Sequence, residues 1–136
     1  MRPACLAALA AAAGLAAGCG SPSPDLFEVT RKGRDANANV RLLVSDGGTV
    51  KCNDAEPVAL DGPRLLTARD IAREVAVQAA LAIQLEPAKD STLRYAVKTE
   101  DGSVAFSDTS RGRPKSFDRV VAFTADVAEN VCKLER

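Results

Sequence analysis

The chain has 136 residues, with 18 Lys and Arg, 18 Asp and Glu, and no His, so its formal net charge is zero. This length fits one domain, and the lack of a basic excess argues against nucleic acid as a partner. The missing His excludes Ser-His-Asp and Cys-His nucleophilic sites, His-bearing zinc sites and His-ligated haem.

Residues 1–18 have the pattern of a targeting segment. Arg2 is followed by an Ala/Leu run that is too short for a good membrane span, and the small residues Ala16, Ala17 and Gly18 lead directly into Cys19. This ending resembles the lipobox of bacterial lipoproteins. The resemblance implies that residues 1–18 are removed and that Cys19 is the lipid attachment site, carrying acyl chains such as palmitate. The alternatives are an ordinary signal peptide or an Ala-rich helix.

Residues 19–24 contain Cys19 and a short Gly/Ser/Pro stretch, which is typical of a flexible tether. No second hydrophobic run follows, so we expect a location at the cell membrane, lipid-anchored on the extracytoplasmic side. After cleavage, 17 basic residues would face 18 acidic ones. This balance predicts no polybasic patch for membrane lipids, so that anchoring would depend on the acyl chains.

The folded domain is predicted to span residues 25–136 and to begin with three strands. Residues 25–32 and 40–44 alternate between apolar and polar side chains, and residues 33–39 are typical of a turn or mobile loop. A three-residue hairpin loop at 46–48 would pair Val44 with Val50 and Leu42 with Cys52, with Gly48 in the left-handed conformation.

Two helices and a second hairpin complete the predicted elements. After a connection at 53–66, a helix is expected over 67–85, opened by Thr67. Residues 93–99 and 103–109 flank Asp101-Gly102, a strong hairpin signal, which would pair Thr99 with Val104 and Val97 with Phe106. A basic connection at 110–115 precedes a last helix over about 116–133, with Ser116 as its N-cap.

Cys52 and Cys132 are the two cysteines left for the folded domain, because Cys5 lies in the leader and Cys19 would carry lipid. In an exported chain such a pair most often forms a disulfide. A redox or metal pair is the alternative, but it lacks both a CxxC spacing and a His. We therefore predict a structural disulfide between Cys52 and Cys132.

The element order β-β-β-α-β-β-α predicts an α+β fold: an antiparallel sheet of about five strands with two helices packed on one face. A strand ending near Gly33, an aromatic-bearing strand and turn over 93–102, and a strand containing Asp108 occur in this order. Over residues 26–134 this order resembles emfourin-like proteins, small bacterial inhibitors of thermolysin-type metallopeptidases. The resemblance implies peptidase inhibition and assigns no inhibitory residue.

The reactive and charged residues favour a binding role over a catalytic one. No phosphate-binding, dinucleotide or nucleophile-elbow motif is present, and we expect no catalytic residue, no metal ligand and no cofactor. The acids are interpreted as surface groups, and the alternation of strand residues places Tyr95 and Phe106 in the core. Residues 111–115, the densest basic segment, are an exposed linker or a contact for an acidic or phosphate-bearing partner.

The sequence thus predicts a non-catalytic binding or accessory domain, in one specific form a peptidase inhibitor. Its partner would be an unidentified envelope or secreted protein, besides the membrane that holds the lipid anchor. Loops 33–39 and 109–115 are the predicted contact loops, because they are polar and marked by Gly or Pro. The alternative is a structural or assembly subunit of a cell-envelope complex; an enzyme is the third hypothesis.

Overall fold

Six strands form one antiparallel sheet, and two helices pack against one of its faces. Numbered along the chain, the strands lie side by side in the order β4-β3-β2-β1-β5-β6. The computed structural model describes residues 25–134. The predicted leader (1–18), Cys19 and the tether (19–24) lie outside the described residues. The predicted α+β class is confirmed, with a sixth, two-residue strand in place of part of the connection at 53–66.

The strands are β1 (Asp25–Gly33), β2 (Val40–Ser45), β3 (Thr49–Cys52), β4 (Val58–Ala59), β5 (Leu93–Thr99) and β6 (Gly102–Ser107). The helices are α1 (Gly62–Ala80) and α2 (Lys115–Asp126). A short 3-10 helix, Ala36–Ala38, lies between β1 and β2, and a π-helix, Val127–Val131, continues α2.

The core lies between the helices and the face of the sheet that they cover. Alternate strand residues point into it, as the alternating pattern requires. Phe27 and Val29 from β1, with matching residues from β2, β3, β5 and β6, meet Ile71 and Val75 of α1 there. The other face of the sheet is left open, and it carries the polar half of each strand.

The first hairpin has the predicted register. Val44 pairs with Val50 and Leu42 with Cys52, and Gly48 has a φ of 86°, as the three-residue loop requires. This loop keeps all four paired side chains on the helix-facing side.

The second hairpin forms, but its predicted register is wrong by two residues. Val97 pairs with Val104 and Thr99 with Gly102, so that residues 100 and 101 make the turn. A Cβ atom on Gly102 would lie 2.3 Å from the carbonyl oxygen of Ala79, and its φ is 144°. Gly102 is therefore the close contact between strand and helix, and a shift of two residues keeps the same side chains on the core face.

Helix α1 begins five residues before the predicted Thr67. Asp61 is its N-cap, and its side chain accepts a hydrogen bond of 2.9 Å from the Arg64 amide. Gly62 and Pro63, which the sequence analysis assigned to a connection, form the first turn. Pro is favoured there because first-turn N–H groups have no partner within the helix.

The same helix ends at Ala80, not at the predicted residue 85. Ala82 takes the left-handed conformation (φ 50°) and donates to the Ala79 carbonyl at 2.9 Å, and the Ile83 amide donates to the Gln78 carbonyl at 3.1 Å. These two bonds form a Schellman motif, in which Ala occupies the position usually held by Gly.

The segment after α1 closes one margin of the sheet. The Leu85 amide donates to the Ala105 carbonyl at 2.8 Å, and the Ala105 amide donates to the Ile83 carbonyl at 3.1 Å. At the opposite margin, β4 follows Pro57 and is two residues long.

The last helix begins at Lys115, with Pro114 at the N-cap position, so that Ser116 lies in the first turn and is not the predicted cap. Beyond Asp126 the helix widens into the π-helix. Cys132, directly after it, meets Cys52 at the end of β3 at disulfide distance, with Cα atoms 5.9 Å apart. The structure thus brings together the pair that the sequence predicted and joins the sheet to the end of α2.

Candidate functional site

A cleft of about 640 Å³ lies between the 3-10 helix Ala36–Ala38 and the end of α2. Its volume falls within the range of small-ligand sites. Aliphatic side chains from the sheet, the helices and the following turn form its walls (Ala38, Leu93, Ala125, Ala128, Leu134). The charged side chains Arg31, Asp35 and Glu129 line it as well.

Arg31 enters this cleft because of its position in β1. It shares the helix-facing side with Phe27 and Val29, yet β1 extends past the core at this end, so that the side chain is only half-buried. Its Nε donates to the Ala38 carbonyl at 2.8 Å, which fixes the plane of the guanidinium. Arg31 also lies near Tyr95; burial raises the pKa of this phenol, and the charge of Arg31 opposes the shift.

The loop between β1 and β2 is held by local contacts. The Gly33 amide donates to Asn39 Oδ1 at 3.1 Å, and the Ala38 amide donates to the Asp35 carbonyl at 3.0 Å. A Cβ atom at Gly33 would lie 2.6 Å from the Cβ of Ala38. Of the two alternatives for residues 33–39, the structure therefore has a defined turn, which forms one wall of the cleft.

The opposite wall is the π-helix and the turn after it. Here the Cys132 amide donates to the Val127 carbonyl at 2.8 Å and the Leu134 amide to the Ala128 carbonyl at 2.9 Å. A π-helix is rare and occurs often at functional sites. Its wider turn, together with the Cys52 link, places Leu134 against the cleft.

The second predicted contact loop, 109–115, is less available. Arg113 Nη1 donates to the Ser107 carbonyl at 2.9 Å and also to the Asp108 carbonyl, and its guanidinium forms an ion pair with Asp118 at 2.8 Å. In the basic segment, Arg111 and Lys115 are exposed. The hydrogen bonds of Arg113 thus hold the loop against the end of β6.

Tyr95 and Phe106 are core residues, as predicted. Their rings stack with centroids 5.2 Å apart, and Phe106 stacks on Phe117 at 4.5 Å. Asp46 lies in the first hairpin turn and pairs with Arg69 at 2.6 Å, which agrees with its interpretation as a turn residue. Residues 25–134 contain no cluster of three potential metal ligands.

Arg31 is a site residue that was not predicted from the sequence. The available signal was its position two residues after Val29, which places a cation on the buried side of β1. The facing wall had no such signal, because it depends on the π-helix and on the pairing of two distant cysteines.

Comparison with protein-family models, with curated protein sequences and with solved structures finds no match to this chain.

None of the helices in the described range is long and apolar enough to cross a bilayer.

Proposed function

We propose that this chain is a lipid-anchored, extracytoplasmic lipoprotein that acts by binding and performs no chemistry of its own, with the cleft as its contact site. The observation that carries the proposal is the combination of aliphatic walls and one oriented guanidinium in a cavity of about 640 Å³. A partner would insert a small apolar side chain beside Leu93 and Leu134. An oxygen acceptor of that partner would meet Arg31.

The cleft is tested by blocking it with one side chain. Ala125 and Ala122 are both exposed on α2, but only Ala125 lines the cleft. Ala125→Trp should abolish partner capture from solubilised membranes, whereas Ala122→Trp should capture as the wild type does. Equal melting temperatures would show that both variants are folded. Capture that survives Ala125→Trp, or no specific capture by the wild type, contradicts the proposal.

The resemblance to emfourin-like proteins makes a thermolysin-type metallopeptidase the first defined partner to test. Inhibition by the wild type and by Ala122→Trp, with loss in Ala125→Trp, would support the inhibitor form of the proposal. Inhibition that is indifferent to both substitutions would place the contact elsewhere. Absence of inhibition would remove the inhibitor form.

The anchor is tested separately through Cys19. The wild type should fractionate with membranes and carry acyl chains, and Cys19→Ala should lose the acyl chains. A soluble, unacylated wild-type product would refute the anchor without bearing on the cleft.

The alternative function, a structural or assembly subunit of an envelope complex, is favoured by one surface of α1. Val77 and Leu81 are 64% and 69% exposed, and the exposed Leu66 is separated from them along this face by Asp70 and Arg73. At about 100° per residue Val77 and Leu81 lie about 40° apart, and adjacent exposed apolar side chains indicate a contact surface. Val77→Lys with Leu81→Lys should release such a partner, while Ala125→Trp should retain it.

A further inference from the structure

The open face of the sheet has a net positive charge that the net charge of the chain conceals. Five cations project from it against two strand carboxylates, Glu28 and Asp25, the second placed there by the bulge that pairs it with Ser45; the cations are Lys32, Arg41, Lys51, Arg94 and Lys98. The rest of the described chain consequently has four more acids than bases. The expectation of no polybasic patch is corrected here, because strand alternation collects charges that are distant in sequence.

These cations are not balanced by ion pairs within the fold. Arg41 contacts Glu28 at 2.9 Å and Asp54 at 3.2 Å, so that these two carboxylates are used on one guanidinium; Glu28 is also the direct cross-strand partner of Lys98. The other four cations of this face form no ion pair within residues 25–134. Lys32 and Arg94 are direct cross-strand partners, and like charges in that arrangement destabilise a sheet.

The open face is also accessible to solvent. Arg94, Ala96, Lys98 and Ser103 are exposed, and the side chains between them are small or polar. No described helix or loop covers them. An extended anionic surface would therefore meet the charges of several strands together, whereas a small anion would meet one or two.

We propose that this open face docks on the anionic phospholipid surface of the membrane, in an arrangement that rests on the proposed lipid anchor. Asp25 lies six positions after Cys19, and this stretch of chain spans at most about 21 Å. If β1 stood perpendicular to the membrane with Asp25 nearest to it, Lys32 would lie roughly 23 Å farther from the bilayer than Asp25. That exceeds the screening length of about 8 Å, so only the flat orientation brings all five cations to the bilayer.

The expected strength follows from the net charge that the face brings to the bilayer. Each Lys or Arg at an anionic bilayer favours binding by a factor of about five. Five cations less the carboxylates Asp25, Glu28 and Asp54 leave two positive charges, which would favour the flat orientation by about 25-fold on an anionic bilayer, and not on a neutral one.

The six lysines of the chain provide the test, because three lie on the open face and three lie elsewhere. Lys32, Lys51 and Lys98 are the reporters; Lys89, Lys115 and Lys133 are the internal controls. The processed protein is reconstituted in vesicles of phosphatidylcholine, with or without 30% phosphatidylglycerol, and acetylated. Mass spectrometry then gives the rate at each lysine.

We expect phosphatidylglycerol to slow acetylation of the three open-face lysines by up to about 25-fold, to leave the three controls unchanged, and to lose this effect in 0.5 M salt. Arg94→Gln should weaken the protection about fivefold, and Arg111→Gln should not, because this exposed cation lies outside the face. Uniform protection of all six lysines, or equal protection on neutral vesicles, would overturn the inference. So would protection by soluble polyphosphate with none by anionic vesicles.

Failure of the docking and failure of the proposed function give different results. Without an anchor, the protein would be found in the soluble fraction. With an anchor and no docking, it would sediment with both kinds of vesicle, and its lysines would react alike on each. Partner capture through the cleft is measured in detergent and depends on neither.

Discussion

The link between Cys52 and Cys132 is expected to supply a large share of the stability of the domain. It closes a loop of 80 residues between the end of β3 and the turn after the π-helix. On the chain-entropy model this loop corresponds to about 4.5 kcal/mol at 25 °C. Small domains are stable by only about 5–15 kcal/mol in total, so loss of the link should be readily measured.

The same energy can be expressed as a melting temperature. For roughly 110 ordered residues the unfolding entropy is about 230 cal/mol/K, so 1 kcal/mol corresponds to about 4 °C. Reduction of the wild type should then lower the melting temperature by up to about 20 °C. Cys52→Ala with Cys132→Ala should give a similar loss, and the reduced wild type is its matched control because it keeps both side chains.

The assay is thermal unfolding followed by circular dichroism, with oxidised wild type, reduced wild type and the double variant compared at one pH. Thiol labelling of the denatured, unreduced protein should leave Cys52 and Cys132 unmodified. Oxidised and reduced proteins that melt within about 3 °C of each other would refute the reasoning, since the link would then contribute less than about 1 kcal/mol.

Three further substitutions test individual contacts. Gly102→Ala should lower the free energy of unfolding in urea by about 2–4 kcal/mol, because its Cβ would lie 2.3 Å from the Ala79 carbonyl oxygen. Gly62→Ala is the control and should cost almost nothing, because its Cβ would meet no atom within 4 Å. Similar losses in the two variants would contradict this. Thr124→Val should gain about 1–2 kcal/mol, because its buried Oγ1 has no hydrogen-bond partner among residues 25–134, and a loss would contradict that. Hydrogen bonds, above all the one from Arg64, lower the pKa of Asp126. The contribution of Asp126 to the stability of the fold is therefore present above the ordinary carboxyl pKa of about 4, and it is lost as pH falls through the lower pKa of the folded state. The melting difference between wild type and Asp126→Asn should therefore shrink from pH 6 to pH 2.5; a constant difference would show that Asp126 does not act through its charge.

The hairpins show what a sequence can specify about a sheet. The loop at 46–48 was predictable down to its register, because a three-residue loop keeps Val44 and Val50 on the same face and a two-residue loop would not. At the second hairpin two registers kept the apolar faces aligned. The choice between them depends on how closely Gly102 approaches α1, which is a tertiary contact without a local signal.

Both ends of α1 were misplaced for local chemical reasons. Gly62 and Pro63 are common in connections and also acceptable in a first helical turn, and the Asp61 cap decides between these alternatives. At the other end Ala82 takes a conformation that usually indicates Gly. A helix whose apolar pattern continues to Ile83 therefore stops at Ala80.

The cleft was only partly predictable. The loop 33–39 was predicted as a contact loop, which stays a prediction, and it forms one wall of the cleft. The other wall comes from residues about 90 positions later, held there by the link to Cys52. Composition does not indicate a cavity between two such segments, nor the charge of a sheet face, because both depend on which distant residues become neighbours.

The margins of the sheet determine how copies of this protein behave when they are crowded together. An exposed, long strand invites the backbone of another molecule to pair with it, and this is the first step towards fibrils. Here the β6 margin already hydrogen-bonds to residues 83–85. The opposite margin offers only Val58 and Ala59, after a proline that has no amide hydrogen to donate. Replacing Pro57 so that this strand becomes longer would therefore favour pairing of its backbone with that of another copy.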